Sequence, residues 1–178
     1  MSYNKQKSLV ANVEAIETAM KVKVQGRRAT DKEKETLSLY SGFGGIKDVL
    51  NMGTDKPIAE DMAEPIGKLQ RLIDEYPYFS DAMRKQVVSS IKASVLTAFY
   101  TPQSVIDAVA QQIQKVFAEN GLTMRSFLEP SAGIGGFLPV TMPDTDTHAF
   151  EKDYITGLIL SVLHGEALTY PAGFETID

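Results

Sequence analysis

The chain of 178 residues contains no cysteine, which excludes a disulfide scaffold and any metal site built on thiolates. It also lacks an apolar run that approaches the roughly 18 residues of a membrane-spanning helix. The first residues are polar and contain no apolar signal-peptide core. From these absences we expect a soluble cytoplasmic protein with no membrane partner.

Basic residues are scarce in the C-terminal part of the chain. From Ser126 to Asp178 there are one basic and eight acidic residues. A protein that binds duplex DNA unaided normally has a concentrated basic face, because phosphate neutralisation supplies most of the affinity. One basic cluster occurs near the N-terminus, and we interpret it as a solvated helix end: Lys21, Lys23, Arg27 and Arg28.

Two sequence motifs are also absent. No Gly-x-x-x-x-Gly-Lys-Ser/Thr loop is present, so the chain does not contain a P-loop ATP-driven motor. Each of the eight prolines stands apart from the others, so the sequence contains no Pro-Pro pair.

Helical signals dominate residues 1–95, which we predict to form a helical N-terminal region. A first amphipathic helix should end near Gly26. Thr30 and Glu33 have the spacing of a capping box, which predicts a second helix that ends near Ser41-Gly42. A third apolar stripe runs up to Tyr76-Pro77, and Ser80 is placed to cap a fourth helix.

Residues 96–178 have a different pattern, in which short apolar runs alternate with helical segments. Thr101 followed by Pro102 predicts the N-terminal cap and first turn of a helix that Gly121 ends. Beyond it we predict strands at 125–129, 147–151 and 167–170, with a helix over 154–163. Such alternation indicates the α/β class, with a parallel sheet and crossover helices.

A glycine loop follows the first predicted strand, which ends in Glu129. Gly133, Gly135 and Gly136 would let a ligand approach the main chain closely and would present backbone N–H groups to it. Glu151 lies 18 residues after Gly133, near the separation expected for an acid that binds ribose hydroxyls. The pattern therefore predicts a nucleotide-like cofactor.

The sign of the charge at the strand end distinguishes two kinds of cofactor. A dinucleotide site would have a glycine at position 138, where this chain has Leu138. A pyrophosphate would be repelled by Glu129, whereas an ammonium group would be attracted to it. An NAD-type oxidoreductase is therefore the weaker alternative, and a surface turn without a ligand would also explain the glycines.

Four separated blocks occur in the order found in the large adenine-specific DNA methylases of phages and mobile elements. The chain resembles the N-terminal part of these enzymes, which are often fused to helicase-like regions. The resemblance spans residues 15–178 and rests on four blocks: 29–33 with 40–46, Ala98 to Pro102, Leu128 to Phe137, and Phe150 to Gly157. It implies a partial Rossmann-like, S-adenosylmethionine-dependent methyltransferase domain over residues 96–178.

The resemblance also implies roles for individual residues. Tyr100, Thr101 and Pro102 would line the methionine end of S-adenosylmethionine, and Glu151 would bind its ribose. The run Glu129, Pro130, Ser131 with Gly133 and Gly135 would hold the amino acid part. Phe174 has the position that packs on the adenine of the cofactor, although an ordinary apolar plug is an equal alternative.

The chain departs from these enzymes in lacking the Asn/Asp-Pro-Pro-aromatic motif that holds the flipped adenine. We therefore expect no catalytic residue here and no methyl transfer by this chain alone. The resemblance implies that this motif would begin near Asp178. We therefore expect the chain to be either a piece of a larger enzyme or a naturally shortened form of one. DNA would be the partner of the full-length restriction-modification or mobile-element enzyme.

In the enzymes that the chain resembles, a fourth strand pairs beside the first strand of the sheet. Without that fourth strand the edge of residues 125–129 would be exposed, and exposed strand edges recruit partners. We expect self-association or binding of a complementary C-terminal half at that edge. The alternative function is a non-catalytic interaction protein of a mobile element, which keeps the methyltransferase fold without the cofactor.

Overall fold

A computed structural model describes residues 4–98, 100–142, 144–165, 169–170 and 172–176. The chain divides into two compact units, Met1–Phe99 and Tyr100–Asp178. The sequence placed the division between residues 95 and 96. The part of the predicted third strand at 167–168 lies outside the described residues.

The first unit is helical. Its described helices are α1 (Lys5–Val24), α2 (Asp31–Leu37), α3 (Glu60–Glu75) and α4 (Asp81–Thr97), with a 3-10 helix over Lys47–Asn51. The predicted capping box is confirmed, because the Thr30 side chain accepts from the Glu33 N–H and the Glu33 carboxylate accepts from the Thr30 N–H. Ser80 caps α4 by accepting from the N–H of Met83, as its position predicted.

Apolar residues at helical spacing bury one face of α1, α3 and α4, and α2 buries Leu37. The stripe of α1 packs with residues of the other helices, and the fully buried side chains include Leu9, Ile16, Leu37, Leu69, Ile73 and Ile91. The helices therefore owe their stability to this shared core rather than to helix propensity alone.

The predicted end of the second helix is wrong. α2 ends at Leu37, whereas the sequence predicted an end near Ser41-Gly42. The buried side chain of Asn12 accepts from the Ser41 N–H at 2.8 Å and donates to the Gly42 carbonyl at 2.6 Å. A longer α2 would direct the Ser41 N–H to the Leu37 carbonyl. That N–H instead donates to Asn12, and because the contact spans 29 residues no local pattern reveals it.

The second unit is of the α/β class. Its described elements are α5 (Gln103–Glu119), β1 (Ser126–Glu129), β2 (Asp146–Phe150), α6 (Tyr154–His164) and β3 (Thr169–Tyr170). The strands are parallel in the order β1-β2-β3. The predicted parallel sheet is thus confirmed, although its strands are short.

One face of this sheet packs on the core of the unit. A buried cluster contains Ala132, Leu138, Ala149 and Leu160, and Phe127 packs against it. The opposite face has Leu128, which is 48% exposed, and the stacked rings of His148 and Tyr170. In the described sheet β1 pairs with β2 alone, so its other edge is open.

The predicted cap of α5 is also corrected. The residue that precedes the helix is Pro102 rather than Thr101, and no side chain caps this helix end. The Pro102 carbonyl instead accepts from the N–H groups of Val105 and Ile106. A proline has no N–H donor to satisfy, so this helix end needs one acceptor fewer.

Candidate cofactor site

Two carboxylates stand at the carboxyl ends of neighbouring strands. Glu129 is the last residue of β1, and Glu151 directly follows β2. Glu129 pairs in register with Ala149, two residues before Glu151, so both acids belong to the same edge of the sheet. Ligands of open parallel sheets bind at this edge. Both side chains are half-buried.

The glycine loop lies between these two acids. Gly133 has φ +57° and Gly135 has φ +88°, and both values lie in the left-handed region that favours glycine. The loop leads into a single 3-10 turn, Leu138–Val140. The Ala132 N–H donates to the Phe150 carbonyl at 2.8 Å, which joins the loop to the end of β2.

Glu151 holds this loop through its carboxylate. Oε2 accepts from the Gly133 N–H at 2.9 Å, and Oε1 accepts from the Asp153 N–H at 2.8 Å. Burial raises the pKa of Glu151 above its ordinary value, and these two hydrogen bonds oppose that shift. A carboxylate has about four acceptor positions, so Glu151 retains capacity for ligand hydroxyls.

Glu129 has a weaker contact, from the Ser131 N–H to Oε1 at 3.3 Å. Neither Glu129 nor Glu151 forms an ion pair within the described ranges. The neighbouring cation Lys152 is already paired, because it contacts Glu175 at 2.7 Å. The local charge at this edge of the sheet is therefore negative.

Tyr100 covers the glycine loop. A Cβ added to Gly133 would lie 2.6 Å from Cε1 of the Tyr100 ring, so the ring occupies the space that glycine leaves. The Tyr100 hydroxyl shares a hydrogen bond with Thr156, and burial is the main reason that the pKa of Tyr100 is raised. Thr156 in turn donates to Oδ1 of Asp153 at 2.7 Å.

The remaining predicted residues are less closely involved. Thr101, Pro102, Pro130 and Ser131 are exposed. Phe174 is 45% exposed, and its ring meets that of Phe150 edge to face with 6.0 Å between the centroids. The structure therefore brings Gly133 into contact with Tyr100 and Glu151, and it packs Phe174 on the residue before Glu151.

The sequence predicted no role for three residues of this region, which are Asp153, Thr156 and His164. Asp153 caps α6 by accepting from the Thr156 N–H at 2.8 Å, and their three-residue spacing is a capping signal that could have been noticed. His164 contacts the Ile134 carbonyl through Nε2 at 3.0 Å. No local pattern marks His164, because this contact spans 30 residues.

The arrangement suits a cation that also has hydroxyl groups. Unpaired carboxylates attract an ammonium or sulfonium group, and carboxylate oxygens accept from hydroxyls. Among the residues that the structure describes, no group of His, Asp and Glu could hold a metal ion. No helix in the described ranges is both long and apolar enough to cross a membrane.

Comparison with protein-family models, with curated proteins and with solved structures finds no match to this chain.

Proposed function

We propose that the second unit is the S-adenosylmethionine-binding portion of an adenine-specific DNA methyltransferase, with a partial Rossmann-like sheet. The observation that supports this most directly is the pair of half-buried acids, Glu129 and Glu151, beside a left-handed glycine loop and without a basic partner in the described ranges. The sequence blocks that resemble adenine methylases point to the same ligand.

Electrostatics favours this cofactor over a dinucleotide. Two like charges about 4 Å apart repel by roughly 4 kcal/mol at the effective dielectric of a protein surface. A pyrophosphate beside Glu129 would meet that repulsion, and Leu138 stands where a dinucleotide loop has glycine. The sulfonium and ammonium groups of S-adenosylmethionine would be attracted instead.

Glu151 has a double role in this proposal. Its two hydrogen bonds to backbone N–H groups fix the carboxylate in place. Its remaining acceptor positions would receive the two ribose hydroxyls. Tyr100, with its ring on Gly133, would form the wall at the methionine end.

Binding without methyl transfer is the expected activity of this chain. The exocyclic amine of adenine is a poor nucleophile and must be held by an Asn/Asp-Pro-Pro-aromatic motif after the base is flipped. The 178 residues contain no such motif. DNA would therefore be bound and modified by an enzyme that contains this motif as well.

Calorimetric titration with S-adenosylmethionine tests the proposal, with NADH as the competing cofactor and methyl transfer to DNA assayed in parallel. We expect saturable S-adenosylmethionine binding, no NADH binding and no transfer. Binding of NADH alone would refute the cofactor assignment, and turnover on DNA would refute the argument from the missing motif.

A non-catalytic interaction protein is the second candidate. The observation that favours it is the Tyr100 ring, which fills the space above Gly133 that a ligand of the loop would use. A chain with this function would show no change in its melting temperature when S-adenosylmethionine is added. A clear upward shift in melting temperature would exclude this candidate.

The open edge of β1 is the place where we propose that a partner pairs with the sheet. Parallel sheets are normally covered and extended on both sides, and Leu128 on this strand is 48% exposed. The partner would be a second copy or a complementary C-terminal half. Sedimentation at increasing concentration tests self-association, and Leu128→Lys should weaken it.

A further inference from the structure

We propose that His164 is a positioning residue for the cofactor loop, which rests on the proposed function of that loop. Nε2 of His164 lies 3.0 Å from the carbonyl oxygen of Ile134. Ile134 lies between Gly133 and Gly135, the two residues of this loop that have a positive φ. A contact to this carbonyl therefore restrains the peptide plane between Ile134 and Gly135.

The contact determines which nitrogen of the imidazole carries a hydrogen. A carbonyl oxygen only accepts hydrogen bonds, so Nε2 of His164 must carry a hydrogen and donate it. This requirement holds for the neutral and for the protonated ring alike. The restraint on the loop consequently depends on a donor at the Nε2 position, rather than on the charge of the ring.

The same contact explains why position 135 is occupied by glycine. A Cβ added there would lie 2.5 Å from Nε2 of His164 and 2.8 Å from Cδ1 of Leu138. Only glycine allows the imidazole to approach the loop this closely. Sequence reasoning assigned Gly135 to the approach of a ligand, whereas the structure shows a protein side chain at that distance.

α6 places the imidazole beside the loop. His164 is the last residue of α6, and the Gly165 N–H closes the helix on the Ser161 carbonyl at 2.9 Å. Leu160, one turn earlier, belongs to the buried cluster that also contains Ala132 and Leu138. The helix and the loop are thus packed on the same core, and His164 joins their exposed ends.

Two anchors therefore hold the loop from opposite elements. Glu151, after β2, accepts from the Gly133 N–H, and His164, at the end of α6, donates to the Ile134 carbonyl. With both in place the loop would already have its binding conformation before the cofactor arrives. Preorganisation of this kind raises affinity because less conformational freedom is lost on binding.

The matched variants His164→Asn and His164→Gln both keep a polar side chain, so they distinguish the effect of a donor at the Nε2 position from the effect of a polar group. The glutamine amide nitrogen reaches the position of Nε2, whereas the asparagine amide is one methylene shorter. We expect His164→Asn to weaken S-adenosylmethionine binding about fivefold to tenfold, which corresponds to one lost hydrogen bond. His164→Gln should stay within about twofold of the original protein.

The control is His148→Asn, because His148 is the other histidine of the chain and lies on the sheet, where it contacts Asp146 and Tyr170. Its cofactor affinity should be unchanged. Equal affinity in His164→Asn and the original protein would overturn the proposal, as would an equal loss in both His164 variants.

A second measurement tests, in the absence of cofactor, whether His164 restrains the loop. NMR order parameters of the Gly133, Gly135 and Gly136 amides should fall from about 0.85 to below about 0.6 in His164→Asn and recover in His164→Gln. Unchanged order parameters in His164→Asn would overturn the positioning role. Failure of the original protein to bind S-adenosylmethionine would instead refute the proposed function, while this measurement would still decide the role of His164.

Discussion

The Glu151 carboxylate accepts a hydrogen bond of 2.9 Å from the backbone N–H of Gly133, a residue 18 positions earlier in the chain. The bond joins the end of β2 to the glycine loop that follows β1. It places a carboxylate with a raised pKa beside the loop, because burial disfavours its charged form. The stability of the loop and the charge available to a ligand therefore depend on the same side chain.

Replacing Glu151 by Ala should lower the free energy of unfolding by about 1–3 kcal/mol, the cost of leaving two backbone donors without their acceptor. It should also abolish measurable S-adenosylmethionine binding. Chemical denaturation and calorimetry measure the two effects. The control is Glu175→Gln, which removes an exposed ion pair with Lys152 and should cost less than about 1 kcal/mol.

Stability and binding should change with pH in opposite directions. Because the pKa of Glu151 is raised above 4.5, the folded chain holds this proton more tightly than the unfolded chain does. Stability of the ligand-free protein should fall as pH rises from 4.5 through the raised pKa. Affinity for S-adenosylmethionine should rise over the same range, because the cation prefers the ionised carboxylate.

Thermal unfolding and calorimetry over a pH series check this prediction, with Glu151→Gln as the reference because Gln does not titrate. Subtracting its profile isolates the contribution of this carboxyl from that of the other acids. An affinity that falls with rising pH would contradict the proposed attraction between cation and carboxylate.

Replacing Gly133 by Ala should destabilise the second unit by about 2–5 kcal/mol, the sum of a left-handed alanine and a steric conflict. The new Cβ would lie 2.6 Å from the Tyr100 ring. Gly121→Ala is the matched control, because Gly121 has φ +61° and nothing within 4 Å of a Cβ. It should cost about 1–2 kcal/mol, and the double variant Gly133→Ala with Tyr100→Ala should recover the difference.

Replacing Asn12 by Leu should destabilise the first unit by about 2–3 kcal/mol, since the buried Gly42 carbonyl and the Ser41 N–H would lose their partner. Chemical denaturation measures the change. Gln6→Ala is the control, because Gln6 donates to the Asp61 carbonyl in an exposed bond. It should change stability by less than about 0.5 kcal/mol. An equal effect of both variants would show that the Asn12 contacts are not special.

Features that depend on neighbouring residues were predicted from the sequence. The Thr30 and Glu33 capping box, the Ser80 cap and the limits of β1 and β2 to within a residue all follow from short-range patterns. Features that depend on a distant residue were not. α2 ends before Ser41, whose N–H donates to Asn12, a residue 29 positions earlier. The cap of α5 is a separate case, because Pro102 and Thr101 are adjacent.

The candidate site shows the same division. Periodicity and spacing predicted Glu129, the loop glycines and Glu151 as site residues, because the signals for turns and strand ends lie in neighbouring residues. The packing of Tyr100 on Gly133 and the contact of His164 with Ile134 join segments about 30 residues apart. Spacing alone would have assigned the loop N–H groups to a ligand, whereas one of them binds Glu151.

The sequence by itself thus determined the classes of element, the parallel sheet and the acidic character of the strand ends, because hydrophobic period and charge are properties of neighbouring residues. Only the tertiary structure decided which groups satisfy one another. A hydrogen bond requires its donor and acceptor within about 3 Å, and for Glu151 with Gly133, or His164 with Ile134, that distance exists only after the chain has packed.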